Sequence, residues 1–188
     1  FGTDISTVLW MQVAYWVTAV GLLMTLGWVG DVYGRRRIYT AGMAVFAVGM
    51  LLCSISFAIW QLILYRIIQG IGSAMVLSNV NALITEQFPI KDRGKALGVS
   101  GAVVGLGLTT GPFVGGFLID LLDWRSIFYS RVPIALVGSI LGLWVLSDDR
   151  VVGKRFSLDW LGAAALFGTM ASVLLVVNQG GKVGFLSA

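Results

Sequence analysis

The sequence has no histidine and a single cysteine, and only 12% of its 188 residues are charged. Each shortage excludes something. Without histidine, the commonest metal ligand and the usual general base are gone. No nucleophile–base pair or metal cluster stands out either, so an enzyme is the least supported class, and no metal site is expected. Cys53 has no partner for an intramolecular disulfide, and within an apolar run it reads as a small buried hydrophobe. Ordinary globular domains carry about 25% charge; this chain has less than that and 57% hydrophobic residues, which argues against a water-soluble domain. A soluble helical bundle would also need polar faces at helical period, and segments 38–59 and 127–146 offer almost none.

What the chain does have is apolar length. Crossing about 30 Å of hydrocarbon takes about 20 helical residues, and six segments qualify: 8–29, 38–59, 61–85, 96–121, 127–146 and 158–177. The expected fold is all-α, a polytopic transmembrane helix bundle, with short connections that make consecutive helices antiparallel neighbours. The basic residues sort by loop. Arg35, Arg36 and Arg37 follow the first span, Lys91, Arg93 and Lys95 the third, and Arg150, Lys154 and Arg155 the fifth. The second loop has no basic residue and the fourth only Arg125. Lys and Arg mark the cytoplasmic side, which predicts a multi-pass protein of the cell membrane with residues 1–7 facing outside. The net charge of +4 is then a topology signal. The expected partner is the lipid bilayer, not nucleic acid.

Three stretches carry more than hydropathy. The first is the loop GWVGDVYGRRR at 27–37. Its ionisable groups belong at the membrane–water boundary, and Gly27, Gly30 and Gly34 permit close backbone approach and a tight turn. Anchoring explains arginines there, but it does not explain the spacing of Gly27, Gly30, Asp31, Gly34, Arg35 and Arg36. The second is Arg66, about five residues inside the third span. An arginine at a helix centre costs about 2.5–3.5 kcal/mol on insertion scales unless it snorkels or finds a partner. It opens the pattern R-x-x-Q-G-x-G with Gln69 and Gly70. No acid lies deep in any span, so its counter-ion is expected from outside this chain. The third is GAVVGLGLTTGPFVGG in the fourth span, with Gly107, Gly111, Pro112, Gly115 and Gly116. Small residues four apart line a flat packing face, and Pro112 frees the carbonyl of Leu108, so a bend is expected. This run is not a nucleotide loop, because no strand precedes it and no Gly-Lys-Ser/Thr follows.

The first loop resembles the best-known signature of the major facilitator superfamily, between its second and third helices. The Arg66 pattern resembles a fourth-helix motif whose arginine is implicated in proton coupling. The run 107–116 resembles the fifth-helix motif of antiporters. Trp10 and Tyr15, the W-R-x-x-F…V-P segment from Trp124 to Pro133, and the D-W-x-G start at Asp159 are similar to the fourteen-span drug:proton antiporter branch. In that branch Arg131 usually has asparagine as its counterpart. Arg131 is expected to snorkel, to pair with Asp120 or Asp123, or to bias the substrate toward anions.

The resemblance implies a register. Residues 1–147 would be family helices two to six, 148–157 a cytoplasmic linker, and 158–188 the first extra helix and the start of the next loop. The first helix and the C-terminal half, a further partner, would lie outside this chain. It implies alternating access, with no cofactor beyond protons as coupling ion and a small, amphipathic compound as the exported substrate. Asp31, Arg35 and Arg36 would latch the cytoplasmic gate, and Arg66 with Gln69 and Gly70 would serve proton coupling. The glycines and proline of 107–116 would shape the fifth helix and limit leak. The alternatives are a nutrient or metabolite symporter or uniporter, which the 107–116 motif opposes, and a non-transporting membrane sensor, which has no need of Arg66.

Overall fold

Apolar runs punctuated by glycine and charge become helices wherever the backbone must satisfy itself, and the computed structural model is helical throughout. It describes residues 5–147 and 160–183, in which there are eight helices and no strand. These are α1 (Ile5–Gly21), α2 (Leu23–Tyr33), α3 (Arg35–Ser54), α4 (Ile59–Gln87), α5 (Ile90–Leu121), α6 (Ser126–Tyr129), α7 (Val132–Val145) and α8 (Trp160–Val183). By length and composition, four helical segments among the described residues can cross a membrane, or five if α1 and α2 count as one bent span. The linker 148–157 lies outside the described residues, as does Asp159.

Three boundaries differ from the sequence expectation. The first span is two helices meeting at 44°, not one rod. The break falls at Leu22, next to Gly21, which gives the helix its least costly place to bend. Hydrogen bonds from Leu22 N to Thr18 O (3.1 Å) and from Leu26 N to Leu22 O (2.9 Å) continue on either side. The fifth span is likewise divided, α6 leading into α7 just before Pro133, which sits in the first turn where its missing N–H does no harm. By contrast, α5 starts earlier than expected. Pro89 caps it in an extended conformation, Asp92 lies in its first turn near the positive end of the helix dipole, and Lys91, Arg93 and Lys95 are helical residues. The helix continues through Pro112 without interruption.

The core is made by small residues, as expected where lipid supplies no hydrophobic drive between helices and close backbone approach must replace it. Helices α3 and α4 form the main contact. A Cβ on Gly49 would stand 2.7 Å from the Gln69 backbone, and one on Gly42 would stand 2.6 Å from Met75 Cβ. Gly70 does the same for α1, where a Cβ would meet the Tyr15 carbonyl and Thr18 Cβ, each at 2.9 Å. Tyr15 and Ser73 share a hydrogen bond of 2.9 Å across that contact. Gly138 and Gly142 bring α7 onto α3, where Ser139 Oγ donates to the Thr40 carbonyl at 2.9 Å. Consecutive helices from α1 to α7 touch, as expected, and glycine-bearing faces add contacts between helices distant in the chain: α1 packs on α4 and α8, and α3 on α7.

Helix α5 is the exception. It has no buried residue, and a Cβ placed on any of its glycines from Gly94 to Gly116 would meet nothing within 4 Å.

Candidate functional site

The loop motif is built around one backbone feature. Gly34 has φ 107°, the only positive φ among the described residues, and it is the pivot between α2 and α3. A side chain is strained in that region, so this glycine is required by the turn itself. The pivot places Arg35 at the start of α3, facing back to Asp31. Arg35 donates from Nε and Nη2 to Asp31 Oδ1, each at 2.8 Å, and from Nη1 to Glu86 Oε1 at 2.7 Å. One guanidinium thus ties α2, α3 and the last turn of α4. The three side chains are partly exposed, at 29%, 55% and 53% of their accessible surface for Arg35, Asp31 and Glu86. Pairs this wet are worth about 0–1 kcal/mol each, so the network holds geometry more than it holds the fold.

The other motif residues are packing elements of the same junction. Gly30 is buried against the Asn79 carboxamide, and Gly27 lies over Ser78. Asn79 is fully buried, and its Nδ2 donates to the Met75 carbonyl and to Ser78 Oγ, both at 2.9 Å. Arg36 donates to the Leu143 carbonyl, capping the open end of α7. Sequence reasoning anticipated Gly27, Gly30, Asp31, Gly34, Arg35 and Arg36 but missed Glu86 and Asn79. The available signal for Glu86 was a lone acid at the end of a span on the same membrane face as the arginines. For Asn79 it was an amide with no apolar reason to sit mid-helix.

Arg66 is the eighth residue of α4, about 10 Å along the axis from Ile59. It does not snorkel outward. Its guanidinium lies 4.8 Å from the centroid of the Phe128 ring and 5.7 Å from that of Tyr15, a cation–π arrangement with rings from α6 and α1. Nη1 donates to Gln69 Oε1 at 3.1 Å, one turn along the same helix. Gln69 is buried, and Gly70 beside it lets α1 approach. The structure thus gathers Arg66, Gln69 and Gly70 into one locus and adds Tyr15, Ser73 and Phe128. Nε of Arg66 is buried with no hydrogen-bond partner among the described residues. A buried N–H without an acceptor is costly, and an arginine in hydrocarbon is more so.

Near the same end, Arg125 donates to the Ser56 carbonyl at 2.9 Å, stacks over Trp124 and lies 3.7 Å from Asp123. The W-R pair therefore fastens α6 to the α3–α4 turn. Asp123 is committed to Arg125 and to the Trp124 N–H (2.7 Å), and it makes no pair with Arg131.

Gly107, Gly111, Pro112, Gly115 and Gly116 are not brought to either locus, since they lie on the open face of α5. The two loci are themselves far apart. Arg66 and Glu86 are separated by 20 residues of α4, about 30 Å. No cluster of metal-ligating side chains exists among the described residues. The arrangement ties α2, α3 and α4 together at one end of the bundle and holds a guanidinium among aromatic rings near the other.

Residues 1–179 match the model of the Major Facilitator Superfamily. The chain is 32% identical over 182 residues to the riboflavin transporter RibZ of Clostridioides difficile, covering 97% of this chain and 40% of that protein. It is 32% identical over 173 residues to multidrug resistance protein 3 of Bacillus subtilis, covering 92% of this chain and 34% of the relative. The multidrug transporter protein MdtP of B. subtilis is 30% identical over 178 residues, covering 95% of this chain and 33% of its own length. The chain thus spans between a third and two-fifths of the length of these relatives.

Proposed function

Since the chain belongs to the major facilitator superfamily, a family of membrane transporters, we propose that the protein containing it exports small amphipathic compounds across the cell membrane in exchange for protons. The observation that carries this reading is Arg66, drawn inward between Tyr15 and Phe128 with an unanswered N–H. A structural or sensing role gives no reason to keep a charge there, whereas a cation next to a mobile acid lowers that acid's pKa and favours proton release. The multidrug relatives support a drug-like substrate.

In this reading the basic loops, including that of Arg35, face the cytoplasm, and the Asp31–Arg35–Glu86 network favours the state closed at that side. Proton arrival near Arg66, about 30 Å away, weakens the grip on substrate and lets the closed side reopen by rigid-body rocking. The α5 run from Gly107 to Gly116 keeps that helix slim enough for close apposition to the remainder of the protein and limits leak.

The test is dye efflux from cells expressing the full-length protein, with and without a protonophore. Efflux that collapses with the protonophore and in Arg66→Ala supports proton-driven export; efflux that survives both defeats it. A second reading, uptake of a nutrient or vitamin, is favoured by the similarity to the riboflavin transporter. Accumulation of labelled riboflavin in the same cells, without dye efflux, would select it.

A further inference from the structure

On its α6 side Arg66 is shielded by a single ring, and a second arginine sets that ring in place. Phe128 is buried in one cluster with Cys53 and Leu62, against which Tyr65 and Trp124 pack. Leu62 and Arg66 lie one turn apart on the same face of α4, and the Phe128 centroid is 4.8 Å from the Arg66 guanidinium. The same ring therefore closes the cluster and covers the cation.

Helix α6 has only four residues, too few to fix its own orientation through helical cooperativity. Contacts at three residues do so instead. Arg125 Nη2 donates to the Ser56 carbonyl in the α3–α4 turn at 2.9 Å, and its guanidinium lies 4.9 Å from the Trp124 ring and 6.0 Å from that of Phe57. The Ser126 hydroxyl, fully buried, is 2.5 Å from the Asp123 carbonyl and 3.1 Å from that of Leu118. Trp124 meets Phe128 edge to face at 6.1 Å. Phe128 N bonds the Arg125 carbonyl at 3.0 Å, so one turn joins the anchored residue to the covering ring. The Arg125 side chain is 37% exposed and Phe57 81%, so exposed surface begins within one turn of that ring. A cation over an aromatic face is held more strongly where water is excluded, and the position of Phe128 decides that exclusion on this side.

We propose that the α6 turn is the cover of the Arg66 site: Phe128 shields the guanidinium, and Arg125, through Ser56, is the positioning residue that keeps the cover shut. The inference rests on the transporter reading in taking Arg66 as a working group, and it names what controls the access of water and protons to that group.

The test uses Cys53 as a built-in reporter, because it is fully buried in the cluster that Phe128 closes. Full-length protein, with any cysteine outside residues 1–188 replaced by serine, is placed in lipid nanodiscs, where both faces are open to reagent. Labelling by an anionic (sulfonatoethyl) and a cationic (trimethylammonioethyl) methanethiosulfonate is timed by mass spectrometry. Wild-type protein should react slowly with both. Arg125→Ala and Phe128→Leu should each react about tenfold faster or more, as the local opening becomes easier. The anionic reagent should lead by several-fold, because the opened path passes the charge of Arg66, and adding Arg66→Gln should remove that lead. Faster labelling with no charge preference, or with a preference that survives Arg66→Gln, means loosened packing alone and overturns the inference. So does a rate in Arg125→Ala no higher than in wild type. Phe128→Leu keeps an apolar side chain in the cluster and decides the matter if Arg125→Ala does not fold. Labelling needs neither substrate nor proton gradient, so its failure and a failure of the protonophore test are separate results.

Discussion

Arg35 shows how one side chain joins three helices while adding little to stability. Its two carboxylate partners are about half exposed, and exposed pairs contribute about 0–1 kcal/mol each. Arg35→Ala in the full-length protein is therefore expected to shift the melting temperature by no more than about 4 °C. If the network latches the proposed exporter, efflux should fall at least tenfold, because the Asp31–Arg35–Glu86 tie between α2, α3 and α4 is lost. Parallel thermal-shift and efflux measurements check this; a large thermal loss with proportionate loss of efflux would make the network a stabiliser and nothing more. Gly34 is a different case. Its φ of 107° makes Gly34→Ala a strained substitution at the pivot, expected to cost about 1–3 kcal/mol, read as a lowered unfolding midpoint. Both residues stood out in the sequence by spacing. Glu86, which completes the network, did not, because its significance depends on the end of α4 folding back beside the start of α3.

Glycine has two uses in these helices. In α3 and α4 it is a contact surface. A Cβ at Gly49 would stand 2.7 Å from the Gln69 backbone, which cannot yield as a side-chain tip can. Gly49→Ala is expected to destabilise by about 1–3 kcal/mol through overpacking, and to disturb Arg66 as well, since Gln69 is its hydrogen-bond partner. In α5 the glycines meet nothing within this chain. Gly107→Ala in the isolated chain should therefore leave the unfolding midpoint unchanged or raise it slightly, as alanine favours helix by about 0.5–1 kcal/mol. Measured side by side in detergent, the two variants should separate clearly; equal losses would mean that α5 packs inside this chain after all. Glycine spacing in the sequence marks α3, α4 and α5 alike and does not distinguish packed from open faces.

Across the whole molecule, the open face of α5 and the distance between the two loci have the same consequence. The Asp31–Arg35–Glu86 network and the Arg66 locus lie about 30 Å apart along α4, so in the proposed transport cycle that helix is the element that would have to couple them. Much of the surface of α5, including Phe113, Val114 and Phe117, is apolar and uncovered. The isolated chain is expected to insert in membranes but not to transport, and vesicle uptake by residues 1–188 alone would overturn that. In the full-length protein, Gly111→Leu should raise proton leak several-fold, measured as the decay of an imposed pH gradient in proteoliposomes, while the same change in the isolated chain is silent.

The sequence by itself determined the class of the molecule. A shortage of charge, the lengths of the apolar runs and the distribution of arginine and lysine suffice for a helical membrane bundle, because an unpaired backbone or a stray charge in hydrocarbon is too costly to leave alternatives. It also marked Arg66 and the 27–37 loop, where charge and glycine break an otherwise uniform pattern. Only the tertiary structure decided what those residues touch. It brought Glu86 to Arg35, and Phe128 and Tyr15 to Arg66. It also bent the first span at Leu22 and left α5 uncovered. Those outcomes depend on which helix faces meet. In lipid that choice is made by close backbone packing between residues distant in the chain, a property of pairs of surfaces and not of any one stretch of sequence.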